Sequence, residues 1–358
     1  MGKRIVIMAG GTGGHVFPAL AVAEFLIENG WQVSWLGTHK GLESRVIPEK
    51  GIEIDWLSVA GVRGKGLIAK ITAVFMLFKA CVQAMKILRK RKPDVVLGMG
   101  GFVAGPGGLM AKLLGLPLII HEQNRIPGTT NRLLARWANR VLEAFPSSFN
   151  EKIGAKCTGN PLRKQFLNAL ENRSQRTDDK VRVLIFGGSQ GAQILNEIVP
   201  EAIAQLQNSG LVAQSVQIWH QTGAAMLSEV EGRYQALGIK AETNAFIENM
   251  VAAYQWADLV ICRAGAMTVS EIAAIGVAAI FIPLPSAIDD HQTANAHFLT
   301  DAGAGYLLKQ NDLNPVTLAE HITKALKNLT EMSVAAQQCA RLDATAVVAG
   351  FCVAQAGL

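Results

Sequence analysis

Several absences narrow what this chain can be. There is no CxxC pair. The five cysteines, Cys81, Cys157, Cys262, Cys339 and Cys352, are scattered, and an odd, dispersed set argues against a disulfide framework and suits a reducing compartment. No apolar run approaches the roughly 18 residues that span a bilayer; the best window, Ile71–Phe78, is closed by Lys70 and Lys79. The opening Met-Gly-Lys-Arg leads only into Ile5–Ala9 before a glycine cluster, which reads as a first strand and not as a signal peptide. Gly2 lacks the downstream Ser or Thr of a myristoylation signal. Aromatic residues make up 6%, few for a surface that stacks bases, so nucleic acid is not expected as a partner. Asp-x-Asp is missing and the histidines lack ligand spacing, so neither a metal nor a cofactor is expected.

What is present suits two aliphatic α/β cores. A length of 358 residues, half of them hydrophobic and 17% charged, is too long for one ordinary core and about right for two. The net charge of +6 favours anionic partners such as nucleotides, pyrophosphates or acidic headgroups without choosing among them. In the first half, short aliphatic runs at Arg4–Ala9, Val33–Gly37, Asp94–Leu97 and Leu118–His121 alternate with helical stretches at His15–Asn29, Leu67–Arg91 and Gly107–Leu114. Such runs ending in glycine predict buried parallel strands joined by crossover helices. The stretch Asn172–Lys180 has no apolar residue, and after it the pattern restarts. Strands are expected at Val181–Phe186, Val216–His220, Leu259–Cys262 and Ala279–Pro283, and helices from Ile194 and Thr268. Two βα series predict two doubly wound domains facing a cleft, with ligand outside the carboxyl ends of the strands. One continuous sheet is the simpler alternative.

Glycine turns follow strand ends three times: Gly10-Gly11-Thr12-Gly13-Gly14-His15, Gly98-Met99-Gly100-Gly101 with Gly105-Pro106-Gly107-Gly108, and Gly187-Gly188-Ser189-Gln190-Gly191-Ala192. Glycine lets the backbone turn sharply and approach an anion, and a helix N-terminus favours negative charge. A dinucleotide fold fits poorly. GxGxxG starting at Gly11 finds Val16 in its sixth place, strand two ends Leu36-Gly37-Thr38 without an acid, and no Walker A lysine follows a loop.

Six motifs then occur in order: the turn at 10–15, His121-Glu122-Gln123-Asn124, Gly159-Asn160-Pro161-Leu162-Arg163, the turn at 187–192, Cys262-Arg263-Ala264-Gly265-Ala266-Met267-Thr268-Val269-Ser270-Glu271, and Asp290-His291-Gln292-Thr293-Ala294-Asn295-Ala296. Together they resemble the bacterial peptidoglycan N-acetylglucosaminyltransferases over nearly the whole chain. Leu162 and Met267, where related proteins often carry other aliphatic residues, and Ala264, where serine is common, are small departures that remove no necessary polar group. The resemblance implies a GT-B fold of two Rossmann-like domains. Residues 1–162 would form an acceptor and membrane domain, rejoined by a C-terminal helix at 340–358, and residues 163–339 a donor domain. It also implies UDP-N-acetylglucosamine as donor, lipid I as acceptor, inversion at the anomeric carbon, and a peripheral place on the cytoplasmic face of the inner membrane. Other cell-wall synthesis proteins become candidate partners.

Inverting transfer needs a base for the acceptor hydroxyl, positive potential for the leaving diphosphate, and groups that hold nucleotide and sugar. His15 is the first candidate base, since histidine ordinarily titrates near neutrality; a phosphate-binding or turn-capping role is its plainer reading. Glu122 is the second candidate, against a structural carboxylate at a strand end. Thr12, Gly13 and Gly14 would contact donor or acceptor diphosphate. Arg163 alone would be a surface arginine after a proline turn; with the resemblance it neutralises the leaving diphosphate. Ser189 would bind donor phosphates and Asn124 a sugar hydroxyl or amide. The resemblance further assigns the segment Ala266, Met267, Thr268, Val269 and Ser270 to donor binding, Glu271 to the ribose hydroxyls, the backbone of Ile247 to the uracil edge and Gln292 to the sugar hydroxyls.

One helical stripe carries Leu67, Ile71, Val74, Phe75, Phe78, Val82 and Met85, bordered by Lys70, Lys79, Lys86 and the run Arg89–Lys92. It suits either a core or an anionic headgroup layer. Two rival functions share the architecture: a UDP-sugar 2-epimerase, which transfers nothing, and a non-catalytic nucleotide-sugar sensor or scaffold.

Overall fold

The computed structural model describes residues 2–59, 67–167, 180–188, 190–208, 216–285 and 287–357. The polar stretch 172–179 and Ser189 lie outside the described residues, as do the side chains of Leu67 and Ile71. The chain folds as two compact units, Met1–Arg163 with Arg341–Leu358, and Lys164–Ala340.

The first unit holds strands β1 (Arg4–Met8), β2 (Gln32–Gly37), β3 (Glu53–Trp56), β4 (Val95–Gly98), β5 (Leu118–Glu122), β6 (Arg140–Glu143) and β7 (Lys156–Cys157). Its helices are α1 (Gly13–Glu28), α2 (Glu43–Glu49), α3 (Leu67–Arg91), α4 (Ala104–Leu113) and α5 (Thr129–Leu134). All strands run parallel in the order β3-β2-β1-β4-β5-β6-β7. Side chains alternate across a strand, so Ile5 and Ile7 enter one core while Val6 and Met8 enter another. The first core is closed by Val16, Ala19, Val22 and Leu26 of α1 and by Val348 and Cys352 of the C-terminal helix, Ala344–Gln355. The second is closed by Ala84 and Leu88 of α3 and Ala104 and Met110 of α4. Burial on both faces explains why the central strands read as continuous aliphatic runs.

Two expectations change here. Helix α4 starts at Ala104, three residues before its expected start, which leaves Gly107 and Gly108 inside the helix and not at its mouth. They are packing glycines: a Cβ on Gly107 would run into the Met8 sulfur, and one on Gly108 into Leu134. The stripe on α3 also divides. Ala80, Ala84 and Leu88 are buried and Val82 and Met85 half-buried, whereas Val74, Phe75 and Phe78 are 68%, 69% and 66% exposed. Arg91 ties the basic end of α3 to Asp55 (2.6 Å) and to Glu53 on β3.

The second unit holds β8 (Val181–Phe186), β9 (Val216–Gln221), β10 (Ala241–Asn244), β11 (Leu259–Cys262), β12 (Ala278–Phe281) and β13 (Gly305–Leu307). Its helices are α6 (Lys164–Leu167), α7 (Gln193–Asn208), α8 (Leu227–Ala236), α9 (Met250–Trp256), α10 (Ala266–Ile275), α11 (His291–Thr300), α12 (Pro315–Leu326) and α13 (Leu329–Gln338). The parallel order is β10-β9-β8-β11-β12-β13. Val183 and Ile185 pack with Leu195, Val199 and Ile203 of α7 and with Leu318 and Ile322 of α12. In both sheets the order reverses beside the first strand of the unit, and ligands of doubly wound sheets bind outside the strand ends at that point. The turns after β1 and β4, and after β8 and β11, stand there.

Candidate active site

In the first unit, α1 begins at Gly13, which puts His15 in its first turn. Thr12 takes the N-cap position with extended backbone and makes no side-chain capping bond. The N–H groups of Gly13 and Gly14 are therefore left for an anion or water to satisfy. The turn is anchored by a residue that the motif reading passed over. Glu43, 0% exposed, accepts from the Gly11 N–H (2.9 Å), the Thr38 N–H (2.9 Å) and the Thr38 hydroxyl (2.8 Å). Glycines make room for this carboxylate: a Cβ on Gly10 would lie 2.7 Å from Oε1, and one on Gly37 2.8 Å from Cγ. A buried carboxylate persists only when hydrogen-bonded, and here the partners are the turn itself.

His15 is held by two neighbours. Gly100, at φ +100°, lies so close that a Cβ there would stand 2.8 Å from His15 Nδ1, and Gly101, at φ +80°, presses on the backbone of Gly10. His15 Nδ1 also meets Gln123 Oε1 at 2.8 Å. The Gln123 amide nitrogen lies 3.0 Å from His121 Nδ1 and 3.1 Å from the His121 carbonyl. His121 Nε2 in turn lies 3.0 Å from the Gly159 carbonyl. Burial pushes the His121 imidazole down to about 4, against the opposing pull of the Gly159 bond, so this ring is neutral. Arg163 places its guanidinium 5.1 Å over the ring of Phe17 on α1, a cation–π contact that brings the arginine to the same helix as His15.

Glu122 ends β5 with its carboxylate turned into the loop that follows. It is 1% exposed. Its Oε1 accepts from the Asn124 N–H (2.9 Å) and side-chain amide (3.2 Å), and its Oε2 from the Gly128 N–H (3.0 Å) and the Asn131 amide (2.9 Å). A base needs a lone pair that the acceptor hydroxyl can reach, and this carboxylate has every oxygen engaged. It shapes the loop after β5 and sets Asn124.

In the second unit the turn after β8 is fastened by a neutral amide. Gln221 Nε2 donates to the Gly188 carbonyl (2.8 Å) and its Oε1 accepts the Ile247 N–H (2.8 Å). That bond commits the Ile247 N–H and leaves its carbonyl as the other backbone group. Helix α10 begins at Ala266, two residues before the expected start, with Gly265 at the N-cap and no acid in its first turn. Its opening N–H groups therefore form a second anion-ready helix end, composed of the segment Ala266–Ser270, although the Ser270 hydroxyl bonds back to the Ala266 carbonyl (3.0 Å). Glu271 accepts from the Tyr254 hydroxyl (3.2 Å). Gln292 Oε1 accepts from the Ala264 N–H (3.3 Å) and the Leu284 N–H (3.0 Å), which turns its amide nitrogen to the other side. Tyr254 and Gln221 were missed because their partners are far off in sequence.

A third feature of the first unit is apolar. Val74 and Leu77 of α3, Phe102, and Leu133 and Trp137 line a groove of about 570 Å³, and Phe102, Leu133 and Trp137 are themselves exposed. The same helices carry exposed Lys79, Lys112 and Arg132. Among the described residues no helix is long and apolar enough to cross a membrane.

Residues 5–143 match the glycosyltransferase family 28 N-terminal domain and residues 182–347 its C-terminal domain. The UDP-N-acetylglucosamine--N-acetylmuramyl-(pentapeptide) pyrophosphoryl-undecaprenol N-acetylglucosamine transferase of Methylococcus capsulatus is 58% identical over 360 residues, covering 100% of both chains. A crystal structure of Acinetobacter baumannii MurG is 42% identical, with a TM-score of 0.83 covering 98% of this chain and 99% of that one. The UDP-GlcNAc 2-epimerase of Neisseria meningitidis, bound to UDP-GlcNAc, reaches a TM-score of 0.68 at 13% identity over 99% and 100% of the two chains. At that identity the likeness shows the fold alone.

Proposed function

Because the chain belongs to glycosyltransferase family 28, we propose that it transfers N-acetylglucosamine from UDP-N-acetylglucosamine, with inversion, to the muramyl sugar of undecaprenyl-pyrophosphoryl-MurNAc-pentapeptide (lipid I), giving lipid II. The fold is GT-B and the chain is a glycosyltransferase. The observation that carries the substrates is the 58% identity, along the full length of both chains, with a transferase whose name states donor and acceptor.

The chemistry divides between the units. A hydroxyl oxygen of the muramyl sugar attacks the anomeric carbon; the bond from that carbon to the diphosphate oxygen breaks, and UDP leaves with the electron pair. His15 Nε2 takes the hydroxyl proton. Thr12, Gly13 and Gly14 hold the acceptor diphosphate at the start of α1, and Arg163 supplies charge against the departing one. The α10 N-terminus holds the donor phosphates, with Ser189 as a further ligand. Glu271 accepts from the ribose hydroxyls, the Ile247 backbone meets the uracil, Gln292 gives its amide to sugar hydroxyls and Asn124 bonds to a sugar. Fixed N–H dipoles and an arginine aimed at developing charge are the kind of stabilisation that dominates such transfers.

The membrane surface is the second partner in this reading. The exposed Val74, Phe75, Leu77 and Phe78, with Phe102 and Trp137, would enter the headgroup layer of the cytoplasmic leaflet while the nearby cations meet anionic lipids, each adding about 1 kcal/mol. The protein is then peripheral on the cytoplasmic face of the inner membrane, where other cell-wall synthesis proteins could dock.

The test is transfer of labelled N-acetylglucosamine from UDP-N-acetylglucosamine to a short-chain lipid I analogue. Labelled disaccharide lipid is expected, with the nucleotide sugar unchanged when acceptor is omitted. Conversion of the sugar to its 2-epimer without acceptor would replace this reading by the epimerase. Cosedimentation with anionic vesicles, lost in Phe75→Ser/Phe78→Ser, tests the membrane face.

A further inference from the structure

We propose that Gln123 is a positioning residue that locks His15 in the Nδ1–H tautomer, leaving the lone pair on Nε2. The inference rests on reading His15 as the base. Its ground is a chain of hydrogen bonds whose direction is set by two backbone carbonyls. A carbonyl can only accept. The Gln123 side-chain atom 3.1 Å from the His121 carbonyl must therefore be the amide nitrogen, which turns Oε1 toward His15 Nδ1 at 2.8 Å. An amide oxygen can also only accept, so His15 Nδ1 carries the hydrogen. The far end gives the same answer independently. His121 Nε2 faces the Gly159 carbonyl at 3.0 Å and must donate, so in this neutral ring Nδ1 accepts, and the atom 3.0 Å away must be the Gln123 nitrogen. Either carbonyl alone fixes the orientation of Gln123, and the two agree.

The lock is rigid. Gln123 is 1% exposed and His121 0% exposed, and the Asn160 amide holds the Gln123 carbonyl at 3.1 Å. Gly100 backs the His15 ring. In the opposite tautomer Nδ1 would face Oε1 with its lone pair, and Nε2 would be unable to take a proton from an acceptor hydroxyl. Of the charged groups on neighbouring positions of the chain, Arg163 stacks on Phe17 two residues along α1, Glu122 has its oxygens bonded within its own loop, and Glu43 is bonded to Gly11 and Thr38. His121 behind Gln123 is neutral.

Long-range nitrogen–proton correlation spectra of the whole protein labelled at histidine nitrogens read the tautomer without reference to turnover, the His15 signals being identified by their loss in His15→Gln. Above neutral pH the wild type is expected to show a protonated Nδ1 and a bare Nε2; protonation at Nε2 overturns the proposal. Gln123→Met, which cannot accept from Nδ1, is expected to give mixed tautomers and to lower kcat ~10-fold or more, with KM for UDP-N-acetylglucosamine unchanged, as losing the correct tautomer impairs other histidine bases. Gln123→Glu still accepts from Nδ1 and is expected to restore kcat at high pH while moving the acid limb of the rate profile upward, since a carboxylate favours the imidazolium. Equal losses in both variants with unchanged pH profiles would overturn the role. Full turnover by His15→Gln would instead remove the base reading and leave the tautomer to be judged by the spectra.

Discussion

The two units repeat one topology and place a glycine turn after the first strand of each, yet they hold that turn with opposite chemistry. In the first unit the anchor is the buried Glu43 carboxylate, and a histidine stands in the first turn of the helix that follows. In the second unit the anchor is the Gln221 amide, and the residues about the turn are neutral. A carboxylate behind a turn that leads into a histidine suits a site that moves a proton. A neutral frame opening on a helix end suits one that holds a polyanion through fixed dipoles. The shared fold therefore says little about which unit does what, and the difference lies in the side chains behind the turns.

If that contrast is right, substitutions in the first unit act on turnover and those in the second on nucleotide affinity. His15→Ala should lower kcat by about 10²–10⁴, the usual worth of a general base, while UDP binding measured by calorimetry stays within twofold; equal loss of both would erase the division. Glu43→Ala strands the Gly11 N–H together with the Thr38 N–H and hydroxyl. It should destabilise by about 2–5 kcal/mol in thermal or denaturant unfolding, and the milder Glu43→Gln should raise KM for acceptor and leave KM for donor alone. Gln221→Ala leaves the Ile247 N–H and the Gly188 carbonyl without their partner; at about 1–3 kcal/mol it should weaken UDP binding roughly tenfold and spare kcat at saturating donor.

Acid should act on both units alike, which provides a control. Burial holds His121 at about 4 and His220, in the second unit beside Tyr234, at about 3, below the ordinary 6.5. Between those values the unfolded chain binds protons that the folded chain refuses. Stability is therefore full above about pH 6.5 and falls as the pH drops toward 4, by roughly 1.4 kcal/mol per pH unit for each ring. Denaturant titrations from pH 7 to 4.5 should show this slope, halved in His220→Gln if the fold is kept. The smallest effect belongs to α3: Phe75→Ser should move stability by no more than about 0.5 kcal/mol, whereas Leu88→Ala, from the buried half of the same helix, should cost about 2–5 kcal/mol.

Much of this was legible along the chain because it is local. A buried parallel strand must be aliphatic on both faces, a tight turn needs glycine, and a helix that covers a sheet repeats its apolar residues every third or fourth place. The strands at Val181–Phe186 and Leu259–Cys262 and the helix Leu67–Arg91 fall where the pattern puts them. Strands β3, β6, β7, β10 and β13 escaped notice; β3 is Glu-Ile-Asp-Trp and β7 a two-residue edge, neither with such a pattern.

The sequence by itself determined the strand, glycine turn and helix series, its restart in the second half, and the order of motifs that points to the family. Only the tertiary structure decided which chemistry-bearing residues are available. It closed Glu122 inside its own loop, buried Glu43 beneath a turn 32 residues away, and joined His15 to Gln123 across 108 residues. The physical reason is that periodicity reports how a segment satisfies its own backbone. Which lone pairs remain open depends on the strand ends that the sheet order brings together.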